Sequence, residues 1–194
     1  MTLMAAARMS APVFPLVVEK SGVTLRDERS GDMAARERLL DESFGEARFE
    51  KTCERLREGR LAARGLALSA MEGEALLGTL RFWHVEAGGA PVLLLGPLAV
   101  AGSHRDLGLG AALMRMGLDR AQALGHKAVI LVGDEPYYSR FGFARAPAQN
   151  LDLPGWYDPA RLLGLELEPG ALAHATGMVV ATGALERRRI SRAA

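Results

Sequence analysis

The first part of the chain alternates between patterns typical of strands and of helices. Residues 23–28 alternate apolar and polar side chains, which predicts a half-buried strand. Residues 30–45 carry apolar side chains at near-helical spacing, and Asp32 stands where it can cap the helix. A second, short helix is predicted over residues 50–58, closed by Gly59. This region therefore contributes one strand and two helices.

Four further strands and one long helix follow. Residues 66–86 form two strand-like runs around Glu-Gly-Glu at 72–74, where the glycine can supply a hairpin turn. Residues 91–100 and 127–132 are almost wholly apolar, as in strands covered on both faces. Between them, residues 108–124 place apolar side chains on one helical face. Strand, helix and strand in this order predict a βαβ unit with parallel strands.

The rest of the chain is less regular. A tight turn at 133–136 precedes a short aromatic helix, YYSRFGF at 137–143, and a last strand is predicted at 177–185. We therefore predict one mixed α/β domain over residues 22–185, with a disordered leader at 1–21 and a solvated basic tail at 186–194.

The composition narrows the function classes. The 194 residues are 49% hydrophobic, enough for one sizeable core, and the formal net charge of +1 gives no general attraction to nucleic acid or anionic membranes. No apolar run approaches the roughly 20 residues of a membrane span. The single cysteine, Cys53, excludes an internal disulfide and a zinc site built on cysteine pairs. We expect a soluble, cytoplasmic protein without a metal.

Two glycines stand where the long helix begins. Gly108 and Gly110 follow a buried strand, so the free backbone N–H groups of the helix N-terminus would face an approaching anion, and Arg105 could pair with the same anion. The alternative is that the glycines only allow tight packing of helix on strand. Neither the dinucleotide fingerprint, which needs a third glycine at Leu113, nor the P-loop fits these residues.

The strand before this loop is interrupted. Gly96 and Pro97 weaken a sheet ladder in the middle of an apolar run, so its end is expected to splay from the next strand. The main-chain groups of Leu98, Ala99 and Val100 would then be free for an extended ligand with amides of its own. The alternative, that Pro97 marks an edge strand, fits poorly with the apolar residues on both sides of it.

A ligand with amides at one end and phosphates at the other describes coenzyme A. The segment LAVAGSHRDLGLGAALM resembles the acetyl-coenzyme A motif of the GNAT N-acetyltransferase superfamily, with Arg105, Gly108 and Gly110 at its signature positions. The segment YYSRFGF is similar to that family's tyrosine helix. Together the motifs most resemble the YhbS-like bacterial branch. The resemblance implies a central, mostly antiparallel mixed sheet, with a splayed parallel pair at 91–100 and 127–132, flanked by helices.

The resemblance also implies roles for particular residues. Tyr138, four residues before Gly142, matches the tyrosine that protonates the leaving thiolate. The neighbouring Tyr137 is placed in packing or substrate contact, and the alternative is that the two tyrosines exchange these roles. The implied cofactor-binding residues are those of the splayed strand end and of the loop after it: Leu98, Ala99, Val100, Arg105, Asp106, Leu107, Gly108, Leu109, Gly110 and Ala111.

The general base is unassigned. The family often places a glutamate on the splayed strand, but residues 91–100 contain no carboxylate. Glu86 and His84, at the end of the preceding strand, could act through water. The asparagine that many members carry before the tyrosine helix is also missing, because GDEP occupies that region.

The leading hypothesis is an acetyl-coenzyme A-dependent N-acetyltransferase that transfers directly to a primary amine of a small molecule or peptide. By the fold, the acceptor would lie near Phe44 and Phe49 on one side and Trp156 and Tyr157 on the other. The alternative is a non-catalytic acyl-coenzyme A sensor or regulatory module. No nucleic-acid or membrane partner is predicted, and a homodimer is left open.

Overall fold

The computed structural model describes residues 19–20 and 22–186, which form one mixed sheet flanked by helices. The strands are β1 (Glu19–Lys20), β2 (Val23–Asp27), β3 (Ala67–Glu72), β4 (Ala75–Ala87), β5 (Ala90–Val100), β6 (Ala128–Val132), β7 (Leu151–Asp152), β8 (Leu162–Glu166) and β9 (Gly177–Ala181). The α-helices are α1 (Met33–Phe44), α2 (Thr52–Arg55), α3 (Leu109–Ala123) and α4 (Glu135–Tyr138).

The sheet is mostly antiparallel. Its strand order is β1-β2-β3-β4-β5-β6-β8, and β9 pairs with both β4 and β7. Strands β5 and β6, joined by α3, are parallel, with Leu93 opposite Val129 and Leu94 opposite Ile130. The predicted βαβ unit and the predicted fold class, a mostly antiparallel mixed sheet with one splayed parallel pair, are confirmed.

Helices cover both faces of the sheet. On one face, Leu113, Met114 and Ala121 of α3 are fully buried with Leu80 and Phe82 of β4. On the other face, Leu39 and Leu40 of α1 pack against Ala99 of β5. These two layers close the core around the middle of β4 and β5, so the interrupted half of β5 lies between α1 and α3.

Several predicted boundaries differ from the structure. The last strand ends at Ala181 instead of residue 185, because the N–H groups of Thr182 and Gly183 both donate to the carbonyl of His84 and turn the chain. Strands β7 and β8 were not predicted. The short LLGLE run of β8 is interrupted by Gly164, and its pairing with β6 is a long-range contact that local periodicity does not report.

The second helix is shorter than predicted. Residues 46–50 form a 3-10 turn, Lys51 is extended, and α2 covers only Thr52–Arg55. The side chain of Thr52 donates to the carbonyl of Trp156, which ties α2 to a loop about one hundred residues later in the chain. This tertiary anchor competes with continuation of a regular helix.

The predicted termini fall largely outside the described residues. Two residues assigned to the leader, Glu19–Lys20, pair with β2. The remainder of the leader, 1–18 and 21, and residues 187–194 of the basic tail lie outside the residues that the structure describes.

Asp32 does not cap α1 as predicted. Its carboxylate accepts hydrogen bonds from the Arg26 guanidinium at 2.6 and 2.8 Å, from the Arg29 N–H at 2.8 Å and from the Ser69 hydroxyl at 3.2 Å. It therefore closes the 3-10 turn before α1 and ties that turn to β2 and β3. The bidentate guanidinium contact outcompetes the helix N–H groups because it is charge-assisted.

This ion pair predicts an acid-sensitive contribution to stability. Hydrogen bonding to Arg26 lowers the pKa of Asp32 to about 2, below the value of about 3.9 in an unfolded chain. The charged form is therefore favoured in the fold, and the contribution is complete above pH 4 and lost as the pH falls through 2. We expect the pH-dependent part to be about 2–3 kcal/mol at pH 7 and about half of that at pH 3.

Urea unfolding of the wild type and of Asp32→Asn at both pH values measures this contribution. A difference in unfolding free energy between the two proteins that is equal at pH 7 and pH 3 would contradict it.

Candidate active site

Strands β5 and β6 separate after a short parallel contact. Their pairing is confined to Leu93–Leu94 and Val129–Ile130, whereas β5 remains paired with β4 as far as Val100. At the point of separation Gly96 has φ +121° and its peptide bond to Pro97 is cis. Because β5 has partners on both sides, the edge-strand alternative for Pro97 is wrong.

The side chain of Trp83 secures the interruption in β5. Its indole N–H donates to the Gly96 carbonyl at 2.6 Å, and the side chain is buried. The carbonyl that the ladder cannot use is thus satisfied within the protein, which keeps the irregular backbone in one conformation.

The main chain beyond Pro97 has groups that face the splay. The Ala101 N–H donates to the Leu77 carbonyl at 2.8 Å, on the β4 side. Since adjacent residues of a strand point their backbone groups in opposite directions, those of Val100 and Leu98 point away from β4. The Arg105 guanidinium approaches the Val100 carbonyl at 3.5 Å. This side of β5 can pair with an extended ligand.

The two glycines at the start of α3 have different structural roles. Gly108 takes the left-handed conformation, φ +75°, at the N-cap position, where other residues are strained. Gly110 is helical, but a Cβ there would lie 3.2 Å from the Tyr137 hydroxyl and 3.5 Å from Val100 Cγ2. A side chain at this buried position would have to fit between Tyr137 and Val100, beside the first free N–H groups of α3.

Tight packing of α3 on the sheet is the role of another glycine. A Cβ at Gly117 would lie 2.6 and 2.9 Å from atoms of the Phe82 ring. Sequence reasoning did not single out this position, although glycine inside a helix is itself a signal of close approach. The packing alternative proposed for Gly108 and Gly110 therefore describes Gly117 best. It also applies in part to Gly110, where a Cβ would contact Val100 of β5, and not to Gly108, which has open space around it.

The remaining loop residues of the predicted cofactor site surround this opening. Residues 102–107 form a 3-10 turn between β5 and Gly108. Arg105, Asp106 and Leu107 are exposed on it, whereas Leu109 is buried beneath the first turn of α3 and Ala111 is partly exposed.

The two tyrosines of α4 face different parts of the site. Tyr138 packs edge-on against Phe143, with ring centroids 6.1 Å apart, and lines a cavity with Pro97 and Leu98. Burial, with smaller effects of Tyr137 and Asp134, raises the pKa of Tyr138 to about 12. Its phenol is therefore protonated at neutral pH. The Tyr137 hydroxyl lies instead beside Gly110, at the N-terminus of α3.

The cavity beside Tyr138 extends from the splay to the α1–α2 region and has a volume of about 660 Å³. Phe44, Cys53 and Tyr157 line it, together with the largely exposed Trp156. Phe49 lines a second cavity of about 370 Å³, which shares Pro97 with the first. The aromatic residues expected near an acceptor are thus divided between two adjoining cavities.

His84 and Glu86, considered as possible general bases from the sequence, lie away from the two cavities. His84 lies against His126 with ring centroids 5.4 Å apart, and neither His84 nor Glu86 lines either cavity. Like Phe82, both residues lie on the face of β4 that is covered by α3, because alternate residues of a strand share a face. They lie near the C-terminal end of α3, where His126 follows the helix. Within the described ranges 19–20 and 22–186 there is no group of three or more potential metal ligands.

Gly133 determines where the Tyr138 ring lies. A Cβ at this position would lie 2.8 Å from Cδ2 of Tyr138, closer still to Cε2, and 3.0 Å from Leu131 Cδ1. Because the ring and the leucine are both packed in the core, Gly133→Ala is expected to displace Tyr138. For the acetyltransferase activity that the sequence resemblance implies, we expect kcat to fall at least about tenfold, with acetyl-coenzyme A affinity retained.

Steady-state kinetics and calorimetry on Gly133→Ala distinguish these two effects. A matched control is Gly102→Ala, because nothing lies within 4 Å of a Cβ there. Unchanged kcat in Gly133→Ala would mean that the position of this ring is unimportant.

None of the helices among the described residues is long and apolar enough to cross a membrane.

Comparison with known proteins relates this geometry to a family. The model of the acetyltransferase (GNAT) family matches residues 33–143. The uncharacterised N-acetyltransferase YhbS of Escherichia coli K12 is 36% identical over 115 residues, which are 58% of this chain and 68% of YhbS.

Two solved structures resemble the whole arrangement. The crystal structure of Escherichia coli YhbS in complex with CoA has 30% sequence identity and a TM-score of 0.71, covering 88% of this chain and 93% of that one. A GNAT family acetyltransferase from Brucella melitensis in complex with acetyl-CoA has 27% identity and a TM-score of 0.59, covering 76% of this chain and 89% of that one. The chain belongs to the GNAT family of N-acetyltransferases.

Proposed function

We propose that this chain transfers the acetyl group of acetyl-coenzyme A directly to a primary amine. The observation that carries the proposal is the common cavity of Tyr138 and the splayed strand end at Pro97 and Leu98. A thioester delivered along this strand would meet a protonated phenol and an open space for an acceptor. The CoA-bound relatives support the same cofactor for this chain.

The cofactor would bind through complementary groups. The outward backbone groups of Leu98 and Val100 suit the amides of pantetheine. The free N–H groups at Leu109, Gly110 and Ala111 suit the pyrophosphate, because the helix N-terminus also carries partial positive charge. The loop residues Arg105, Asp106, Leu107 and Gly108 complete the proposed cofactor-binding set. Ala99, predicted as part of it, is left out, because its backbone groups face Thr79 of β4 and its side chain packs against α1.

In the proposed reaction, the neutral amine attacks the thioester carbonyl carbon. A C–N bond forms and the C–S bond breaks, and the sulfur leaves as a thiolate. Tyr138 donates its hydrogen bond and then its proton to that thiolate. A phenol with a pKa of about 12 is a weak acid for a thiol near 8.5, so stabilisation of the developing charge supplies much of its effect.

Cys53 lines the same cavity but is a poor candidate for a covalent carrier. Burial raises the pKa of its thiol, so little of the reactive thiolate exists at neutral pH. Its environment supports direct transfer in a ternary complex. A labelled acetyl group found on Cys53 and then passed to the acceptor would contradict this step.

The competing function is a sensor that binds acyl-coenzyme A without turnover. The absence of a carboxylate on β5 favours it, whereas the placement of Tyr138 in the cavity favours an enzyme. Release of free thiol from acetyl-coenzyme A separates them. The panel of acceptors comprises primary alkylamines, free amino acids, and peptides with a free N-terminus or a lysine. Amine-dependent thiol release is expected; tight binding without any turnover would indicate the sensor.

A further inference from the structure

Helix α2 supplies a carboxylate at the boundary between the two cavities. Glu54 lines both of them, together with Arg57 from the turn after α2 and Pro97 of the interrupted strand. Its side chain is 25% exposed, so it is partly withdrawn from solvent but accessible from the cavities. No residue of this helix was considered as a base from the sequence.

Arg57 fixes Glu54 near the splayed strand. Its Nη2 lies 3.0 Å from Glu54 Oε2, and its Nε donates to the Cys53 carbonyl at 3.1 Å. Its third nitrogen, Nη1, is 3.8 Å from where a Cβ on Gly96 would lie. One guanidinium therefore spans the distance between the interruption in β5 and the Glu54 carboxylate.

The other carboxylates of the larger cavity are less suited to an acceptor proton. Asp134 is 76% exposed and pairs with Arg161 at 3.2 Å, and Asp158 accepts the Ala160 N–H at 2.9 Å. Glu50 is exposed at the edge. Glu54 alone among these four combines partial burial, a fixed orientation and proximity to the strand.

We infer that Glu54 binds the ammonium group of the acceptor and receives its proton, directly or through one water. The inference rests on the proposed transfer to a primary amine and names the base of that reaction. The nearby positive charge of Arg57 assists, because a like charge lowers the pKa of an ammonium group. The amine loses a second proton after attack, and the thiolate gains one from Tyr138. One proton is thus released to solvent per acetyl group transferred.

The test compares two isosteric acceptors that differ in protonation. The fastest primary alkylamine of the panel is used with its alkoxyamine isostere, for example n-butylamine and O-propylhydroxylamine. The alkoxyamine is neutral at pH 7 and needs no base to become a nucleophile. We expect Glu54→Gln to lower kcat/KM for the alkylamine by roughly 10² to 10⁴, the range for one positioned acid or base. For the alkoxyamine we expect a loss of less than about tenfold.

The matched control is Glu50→Gln, an exposed carboxylate of the same cavity, which should change neither rate by more than about twofold. Calorimetry with acetyl-coenzyme A verifies that each variant is folded. If Glu54→Gln does not bind acetyl-coenzyme A, Glu54→Asp is used in its place. Because aspartate keeps a carboxylate, this variant should retain a higher kcat/KM for the alkylamine than the reaction would have without a base.

Equal losses with both acceptors, or a larger loss in Glu50→Gln, would overturn the role of Glu54. Absence of turnover by the wild type with every amine would instead overturn the proposed function.

Discussion

Gly110→Leu is expected to abolish acetyl-coenzyme A binding while the protein remains folded. The backbone of Gly110 is ordinary helix, so leucine introduces no φ strain there. A Cβ at this buried position would already lie 3.2 Å from the Tyr137 hydroxyl, so the leucine side chain would have to displace Tyr137 or Val100 beside the free N–H groups of α3. We expect an affinity loss of at least about 100-fold, which corresponds to about 2.7 kcal/mol or more.

Calorimetric titration of acetyl-coenzyme A measures this loss. Gly102→Leu is the matched control, since it places the same side chain at an exposed position of the same loop with open space around it. If folded Gly110→Leu binds acetyl-coenzyme A as tightly as the wild type does, the assignment of this loop to the cofactor site is wrong.

Tyr138→Phe is expected to lower kcat by roughly 10² to 10⁴, the range for one positioned acid. The raised pKa of the phenol favours the lower end of this range, because transfer of its proton to a thiolate is unfavourable. The phenyl ring keeps its contacts with Gly133 and Phe143, so acetyl-coenzyme A affinity should be largely retained.

Tyr137→Phe is the comparison for this prediction. Its hydroxyl lies beside Gly110, away from the cavity of Tyr138, so kcat should change by less than about tenfold. The opposite ranking of the two variants would transfer the acid role to Tyr137. If both variants were fully active, neither tyrosine would act as the acid, and the rate enhancement would come from positioning of the cofactor and acceptor alone.

Parts of the site were predictable because their signals are local. A left-handed residue at the start of α3 calls for glycine, and Gly108 marks it. The interruption of an apolar strand by Gly96 and Pro97 is equally visible in the sequence, since proline has no N–H for a ladder. The separation of Tyr137 from Tyr138 also follows from helical geometry, which turns adjacent side chains about 100° apart.

Other parts depend on contacts between distant segments. Asp32 looks like a helix cap, but its partners Arg26 and Ser69 come from β2 and β3. Glu54 lies in an unremarkable charged stretch, and only the approach of Arg57 to Gly96 brings it to the splayed strand. Conversely, Glu86 and His84 precede that strand closely in sequence yet lie away from both cavities.

The sequence by itself determined the βαβ unit, the break in β5 and the glycine loop at α3, because backbone conformation and periodicity are encoded by neighbouring residues. Only the tertiary structure decided which carboxylate adjoins the cavity, which glycine packs against the sheet and where the Tyr138 ring lies. Those outcomes arise from packing and ion pairs between residues far apart in the chain, such as Gly117 with Phe82. Local sequence patterns carry no information about which distant side chains will meet.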